Sequence, residues 1–467
     1  MKICTVDLET YWSVTHSLSK MSPIKYCMHP ETEIISCSFK FGDDSSFVVI
    51  GEAAVKEYVS KVDWSEYWVV GHNLSGFDSM ILSWRLHIWG CTLAMSRPIH
   101  AKDAGGSLAK LVEHYHLGRK DQSALLATKG RHLCDFTEQE VEDMSVYNAA
   151  DTDQCYALLR KLIPQTRKDE VKLIDMTIRM LIEPQFNADV ELLRRTLKEE
   201  TARRKIAMVD AAKTMDVYDP MATEEENITA VLKVLSSAAK FAKFLQTLGV
   251  EVPLKVSPRT GKEIPALAKT DEDFLALQEH PNPVVASAAS ARLDAKSTIL
   301  QTRIQAFMDA AAAHPQSQVP IPLKYYGADT TGRWSGWGYN PQNLPRINPY
   351  ATRPSDALRK SLVAPDGYKV VVADLSGIEL RVNHFLWQVP SSVAMFKADP
   401  EKADLYKDFA SKLYDVPFSE VTKQQRQVGK VAHLGLGFGA GYKTFQTVAK
   451  IMGGVELDES ESQDIVT

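Results

Sequence analysis

Residues 1–10 alternate with the period of a β-strand. Cys4, Val6 and Leu8 fall on one face, and Ile3, Thr5, Asp7 and Glu9 on the other. Two carboxylates two residues apart on a strand point the same way. They repel each other unless a cation lies between them, and hard divalent ions prefer such oxygen donors. Taken alone, an acid-x-acid pair is more often a solvent-facing strand end. The company it keeps decides between the two.

Residues 34–50 read as two further strands around a turn at Gly42-Asp43-Asp44, and residues 67–71 as a short buried strand. Leu74 to Leu86 has helical spacing. Thr137 to Leu162 is helical and opens on a Thr137–Glu140 capping box. Strands followed by helices imply a mixed α/β domain that closes near Pro164. Within it, the loop from His72 to Asp78 delivers a third acid, Asp78, with Asn73 beside it. Tyr147 and a fourth acid, Asp151, share a helix face at i, i+4.

From 165 to 315 the chain is rich in Ala, Leu, Lys and Glu and reads as largely helical, with an exposed loop over 249–270 around Pro253, Pro258, Gly261 and Pro265. Residues 286–313 are a further Ala-rich helical run. Residues 325–389 are mixed. The stretch 331–346 holds too much Gly, Pro and Asn for a regular element. Residues 368–387 predict a buried strand, a turn at Leu375–Gly377 and a helix. Residues 402–415 and 422–452 are helical.

A length of 467 residues sets a prior of about three domains. With 45% hydrophobic and 24% charged residues the chain is neither disordered nor fibrous. No apolar run approaches the roughly 20 residues that span a bilayer. Asp7 and Glu9 come too early for a signal peptide, and the six cysteines form no CxxC pair. Reduced thiols and a cytoplasmic location are the expectation. Residues 324–453 carry 17 Lys and Arg against 11 Asp and Glu, so that stretch is where a polyanion would bind.

The order Asp7-x-Glu9, Asp78, Tyr147-(x3)-Asp151 resembles the DEDD 3′–5′ exonucleases, in the subgroup with a tyrosine in the third motif. The resemblance covers about residues 1–163. It implies a ribonuclease H-like domain in which Asp7, Glu9, Asp78 and Asp151 hold two Mg2+ ions (Mn2+ as a substitute) and Tyr147 positions the attacking water. Paired ions activate a water and stabilise the leaving oxygen of a phosphodiester.

Asp374 follows the apolar run Val370–Ala373, and DLSGIELR (374–381) resembles motif A of the family A DNA polymerases. The resemblance implies that Asp374 binds the catalytic metals and that Glu379 disfavours ribonucleotides. Gly377 departs from the usual glutamine, and Leu375 from the common aromatic. Arg426, Lys430, Leu434 and Phe438 step by four along one helical stripe. That spacing resembles motif B, the nucleotide-binding helix, and implies contacts to a dNTP. Leu434 stands where the family has Phe or Tyr, and Phe438 where it usually has Tyr. Residues 330–345 resemble the primer–template segment, which makes Arg333, Asn340, Gln342 and Asn343 candidate DNA contacts, together with Asn73 and Arg381. Residues 288–302 resemble the end of the thumb, with Arg292, Lys296, Ser297 and Thr298 as candidate minor-groove or phosphate contacts.

The expected architecture is therefore multidomain, α/β and α+β: an exonuclease over 1–163, a helical thumb-like region over 164–323, and a partial palm and fingers over 324–467. The family's third palm motif, a His-Asp-Glu on a hairpin that carries the second shared metal ligand, is not found after Gly439. The expectation is an N-terminal portion of a proofreading replicative polymerase that needs a further segment or a second chain to extend a primer. Its partners would be primer–template DNA, single-stranded 3′ ends and dNTPs, with no membrane. The alternatives are a stand-alone metal-dependent exonuclease and a non-catalytic DNA-binding subunit.

Overall fold

The computed structural model describes residues 2–466 apart from 84, 85, 87, 101, 102, 120–125, 258, 259, 270, 297, 348–354, 401, 438 and 451–453. The chain divides into two units, Met1–Val370 and Val371–Thr467.

The first unit opens on a five-stranded sheet. Its strands are β1 (Lys2–Thr10), β2 (Ile34–Phe41), β3 (Phe47–Ile50), β4 (Tyr67–Gly71) and β5 (Trp89–Cys91), in the spatial order β3-β2-β1-β4-β5. β1 lies in the centre. It pairs antiparallel with β2 and parallel with β4, with Asp7 opposite Ser38 and Thr5 opposite Val70. Burial on both faces explains why Thr5, Ser36 and Ser38 are as enclosed as Val6 and Phe39. Val6, Leu8, Phe39, Val69, Val70 and Trp89 form the core, closed by Leu158, Leu159 and Leu162 of the Glu138–Leu162 helix. The helix expected from Leu74 is shorter: its described turns run Asp78–Leu82.

The helical middle region is present as Lys168–Ile182, Val190–Thr214, Glu224–Leu235, Ala238–Thr247, Pro283–Lys296 and Ile299–Ala312. Phe241, Phe274, Val231, Leu235 and Val285 make its own core. Two details differ from the sequence reading. The segment expected as a loop holds a small hairpin, Leu254–Val256 against Glu263–Pro265. The glycine-rich 331–346 stretch contains a strand, Arg333–Gly336, paired with Leu323–Ala328. Cross-strand hydrogen bonding overrides the poor local propensity there.

The second unit holds the helices Ile378–Leu386, Pro390–Ala398, Leu405–Leu413, Lys423–Leu436, Tyr442–Val448 and Glu459–Val466. Its core is Val431, Ala432, Phe445 and Ala449. Gly429 lets Lys423–Leu436 cross Leu405–Leu413 closely: a Cβ there would lie 2.2 Å from the Tyr406 carbonyl oxygen. The buried strand expected at 368–373 does not form. Residues 368–375 are irregular, with Val371 88% and Val372 87% exposed. Four β-forming residues make no strand without a neighbour to accept their backbone bonds, and among the described residues none pairs with them.

Candidate active sites

The first site is built where the Glu138–Leu162 helix crosses the centre of the sheet. Thr137 caps that helix, its side chain accepting the Glu140 N–H while Glu140 accepts the Thr137 N–H. Three turns on, a buried polar seam fixes the helix over β1 and β2. Ser36 Oγ donates to Asn148 Oδ1 at 3.1 Å, and Ser38 Oγ donates to the Asn148 carbonyl at 3.0 Å. Ser38 also meets the Thr152 hydroxyl. Asn148 Nδ2 then donates to Asp7 Oδ2 at 2.8 Å and to the Asp7 carbonyl at 3.3 Å. Buried polar groups must find partners, so this seam admits one register of helix on sheet.

That register brings the acids together. Carboxylate oxygens of Asp7, Glu9 and Asp151 lie within 4.8 Å of one another. Asp151 and Glu9 are buried and Asp7 is partly so. Tyr147 hydrogen-bonds Asp151; burial first, then the charges of Glu9, Asp151 and Asp7, hold its phenol well above the ordinary range. It therefore stays protonated at any working pH. Asp78, the first residue of its helix, is buried and lies outside this group of three. Its carboxylate accepts its own backbone N–H and that of Leu8, so it rests against β1 between Asp7 and Glu9; burial pushes its pKa up to about 7. Asn73 sits at φ 62°, and its carbonyl accepts the Gly76 N–H at 2.6 Å. His72 is tied to Thr92 Oγ1 at 2.9 Å and the Gly106 carbonyl at 3.1 Å. The loop that delivers Asp78 is thus held at both ends.

An all-oxygen donor set crowded with negative charge fits hard divalent cations, whose binding relieves the repulsion among the acids. Sequence reasoning missed Asn148, Ser36, Ser38 and Thr152. The available signal was a Ser-x-Ser pair inside an apolar strand, at the same two-residue step as Asp7 and Glu9.

The second candidate site is laid out differently. Asp374 is exposed in the irregular stretch before the Ile378–Leu386 helix, and Glu379 lies in that helix's first turn. Among the described residues, no group of three metal-ligating side chains includes Asp374. Gly377 caps the helix at φ 58°. Arg381 folds back to donate to the Ser376 carbonyl at 2.8 Å and the Pro400 carbonyl at 3.1 Å, and stacks on Phe396. Arg426, Lys430 and Leu434 do share the Lys423–Leu436 helix. Arg426 pairs with Asp404 at 2.6 Å and lies over Tyr406. Phe438 lies outside the described residues.

Of the candidate DNA contacts, Arg333 is exposed on its strand. Gln342 accepts the Gly336 N–H at 2.7 Å and donates to the Trp334 carbonyl at 3.1 Å. Asn340 takes a left-handed φ of 44° with its Oδ1 buried and without a hydrogen bond, and the Asn343 carbonyl accepts from Arg303 at 3.0 Å. Arg292 is corrected: it is 1% exposed, stacked on Phe241 and bonded to the carbonyls of Leu235 and Leu267. It holds the helical core together and cannot reach a nucleic acid. Lys296 and Thr298 are exposed, and Ser297 lies outside the described residues.

A family model for DNA polymerase family A matches residues 211–465. The DNA polymerase of Bacillus phage SP02 is 23% identical over 94% of this chain and 70% of its own length. DNA polymerase I of Pseudomonas aeruginosa is 33% identical over 28% of this chain and 13% of its own, and that of Aquifex aeolicus 31% over 30% and 22%. The POL domain of Pol1 from M. smegmatis, in complex with DNA primer-template and dNTP, superposes with a TM-score of 0.60 at 17% identity, over 99% of this chain and 71% of that one. The fold is that of a multidomain α+β polymerase, and the chain, matched by the family model over more than half its length, belongs to DNA polymerase family A.

Proposed function

We propose that the chain is a replicative DNA polymerase polypeptide whose N-terminal domain, about residues 1–163, is a 3′–5′ proofreading exonuclease. The observation that carries this reading is the meeting of Asp7, Glu9 and Asp151 within 4.8 Å, with Tyr147 bonded to Asp151. Asp7, Glu9, Asp151 and Asp78 would hold Mg2+, which supplies an activated water and charge stabilisation for phosphodiester hydrolysis. The protein's own part is positioning. Asn148 orients the Asp7 carboxylate. Tyr147 keeps its proton and can hold the incoming water by a hydrogen bond. The substrate class is a single-stranded DNA 3′ end, because a melted end reaches a recessed site that a duplex cannot.

Residues 164–323 act as the thumb and 324–467 as part of the palm and fingers, binding primer–template through the Arg333–Asn343 stretch. Asp374 is the palm metal ligand, and Glu379, Arg426, Lys430 and Leu434 receive the dNTP. Arg426 would exchange Asp404 for a triphosphate oxygen. Two palm carboxylates are needed for primer extension, and among the described residues Asp374 belongs to no group of three or more ligating side chains. Extension therefore calls for a segment or second chain that carries the other. Among the described residues no helix is long and apolar enough to cross a membrane. Work in the cytoplasm of a bacterial host fits a DNA substrate.

The test is degradation of a 5′-labelled single-stranded oligonucleotide with and without Mg2+. Asp7→Ala with Glu9→Ala should lower the rate on the order of 10³-fold, as loss of transition-state charge stabilisation does elsewhere. Full hydrolysis by the double variant, or in excess EDTA, would sink the exonuclease assignment.

A further inference from the structure

Between β1 and β2 the chain runs through a strap, residues 11–33, that folds back on itself. The Tyr11 N–H bonds the Glu33 carbonyl at 2.9 Å, and the Thr32 N–H bonds the His29 carbonyl at 2.9 Å. His16 sits inside the strap, 1% exposed, with its ring stacked on Tyr26 at 4.6 Å and tilted against His29 at 4.8 Å.

The hydrogen bonds fix the tautomer of His16. The single Thr32 hydroxyl proton goes to the Tyr26 carbonyl, so Thr32 Oγ1 can only accept from His16 Nε2, 3.0 Å away. The proton is therefore on Nε2, and Nδ1 carries a lone pair. That Nδ1 is buried and has no hydrogen-bond partner. It faces the Glu31 carboxylate at 3.9 Å. A lone pair and an anion thus confront each other with no donor between them. His29 completes the group: donor atoms of His16, His29 and Glu31 all lie within 4.8 Å of one another. His29 Nδ1 meanwhile accepts the Glu31 N–H at a long 3.2 Å, a lone pair that an ion would take over.

We propose that His16, His29 and Glu31 bind a transition-metal ion, Zn2+ in the cell, with water completing a tetrahedron. Two imidazoles and a carboxylate suit zinc far better than Mg2+. An acceptor for the N–H of the far ring nitrogen, here Thr32 Oγ1, is the usual companion of a ligating histidine. Zinc–nitrogen bonds of about 2.0–2.1 Å require the donors to close in. His16 is fixed, and the half-buried His29 and exposed Glu31 are the side that moves. His132, the next histidine, is engaged elsewhere, stacked on Tyr11 and bonded to Glu33.

The ion would pin the strap to the end of β1. Tyr26, under His16, donates to the Tyr11 carbonyl at 2.6 Å and meets Thr10 Oγ1 at 2.7 Å, one residue beyond Glu9. The site shares no residue with the carboxylate group on β1 and can be tested apart from it.

The test uses the full chain, stripped with chelator and titrated with Co2+ and then Zn2+. Wild type should develop the visible d–d absorption of a nitrogen–oxygen tetrahedral Co2+ site, lose it to Zn2+, and melt at a higher temperature with Zn2+ than with Mg2+. His29→Ala and Glu31→Gln, which avoid the buried His16, should each weaken Zn2+ binding on the order of 10²-fold. Asp7→Ala with Glu9→Ala should leave the Co2+ spectrum unchanged. No Co2+ spectrum in wild type, or one that survives His29→Ala with Glu31→Gln, would overturn the proposal. So would a melting temperature that responds to pH but not to Zn2+, since the occupant would then be a proton.

Discussion

Asp7 and Asp374 both belong to runs of β-forming residues, and the two runs have opposite fates. Ile3–Val6 is flanked on both edges, by β2 and β4, and the ladder carries Asp7 and Glu9 to a fixed place beside Asp151. Val370–Ala373, with three valines in a row, also has high local β propensity. It stays irregular and exposed, and Asp374 with it. A carboxylate site is therefore a property of the sheet that bears it. Propensity supplies a candidate strand; paired neighbours decide where its acids end up.

The sharpest way to break this contrast is to ask each site for its chemistry separately. The purified chain should degrade single-stranded DNA yet fail to extend a primer, with extension down on the order of 10³-fold or more if the second palm carboxylate comes from another segment, as proposed. Supplying a polypeptide with a His-Asp-Glu hairpin should restore extension. Asp374→Ala should abolish the restored activity and leave nuclease activity alone. Robust template-directed extension by the chain by itself would mean that an acid not named here completes the centre.

The next largest effect concerns what organises the first site. Asn148→Ala removes the donor to Asp7 and strands the Ser36 hydroxyl. Loss of such a supporting partner typically costs 10–100-fold, roughly, in metal affinity or activity. We expect exonuclease activity to fall by about that factor, with a higher Mg2+ concentration at half-maximal rate. Stability should drop by about 1–3 kcal/mol for the unpartnered buried groups. A stability loss with an unchanged Mg2+ dependence would make Asn148 a packing residue only.

The same seam marks the limit of what the sequence discloses. The alternation of residues 1–10, the capping box at Thr137 and the i, i+4 pair Tyr147–Asp151 are local patterns, and each element they imply is present. Asn148 is different: its partners Ser36 and Asp7 are 112 and 141 residues away. Nothing in a helical stretch says which polar side chain will find a buried hydroxyl across a sheet. Arg292 fails for the converse reason. A cation in an Ala-rich helix reads as surface, and here it is stacked on Phe241 inside the helical core. The strand at Arg333–Gly336 was hidden by its glycines, and the missing strand at 370–373 was suggested by its valines. In both cases long-range pairing overrode composition.

A smaller effect separates the two units. Gly429→Ala puts a Cβ within 2.2 Å of a backbone carbonyl that cannot swing away. Overpacking of this kind costs about 1–3 kcal/mol, and it should fall on Val371–Thr467 alone. Hydrogen exchange should speed up in Leu405–Leu413 and Lys423–Leu436 while the β1–β5 sheet keeps its protection. Uniform loss of protection through both units would mean that they unfold as one.

The smallest expected effect lies at the mouth of the helix that carries Tyr147 and Asp151. The Arg131 guanidinium first, then the Thr137 backbone N–H, hold the Glu140 carboxyl at about 2, below its ordinary 4.5. A depressed carboxylate stabilises the fold above its unfolded pKa, and the benefit fades as pH falls from about 4.5 through about 2. The pair is only partly buried, so salt screens it and the gain is modest. Glu140→Gln isolates the charge, because glutamine still accepts the cap hydrogen bond. At neutral pH and low salt the variant should melt slightly below wild type. The gap should close as pH falls through that window, and also in high salt at neutral pH. Nuclease activity near neutrality should not change, since Tyr147 and Asp151 sit about two and three turns along the helix from Glu140 and Asp7 and Glu9 lie on β1. No gap at neutral pH would show that the charge contributes nothing, and a gap that persists at acid pH would show that the substitution costs something other than the charge.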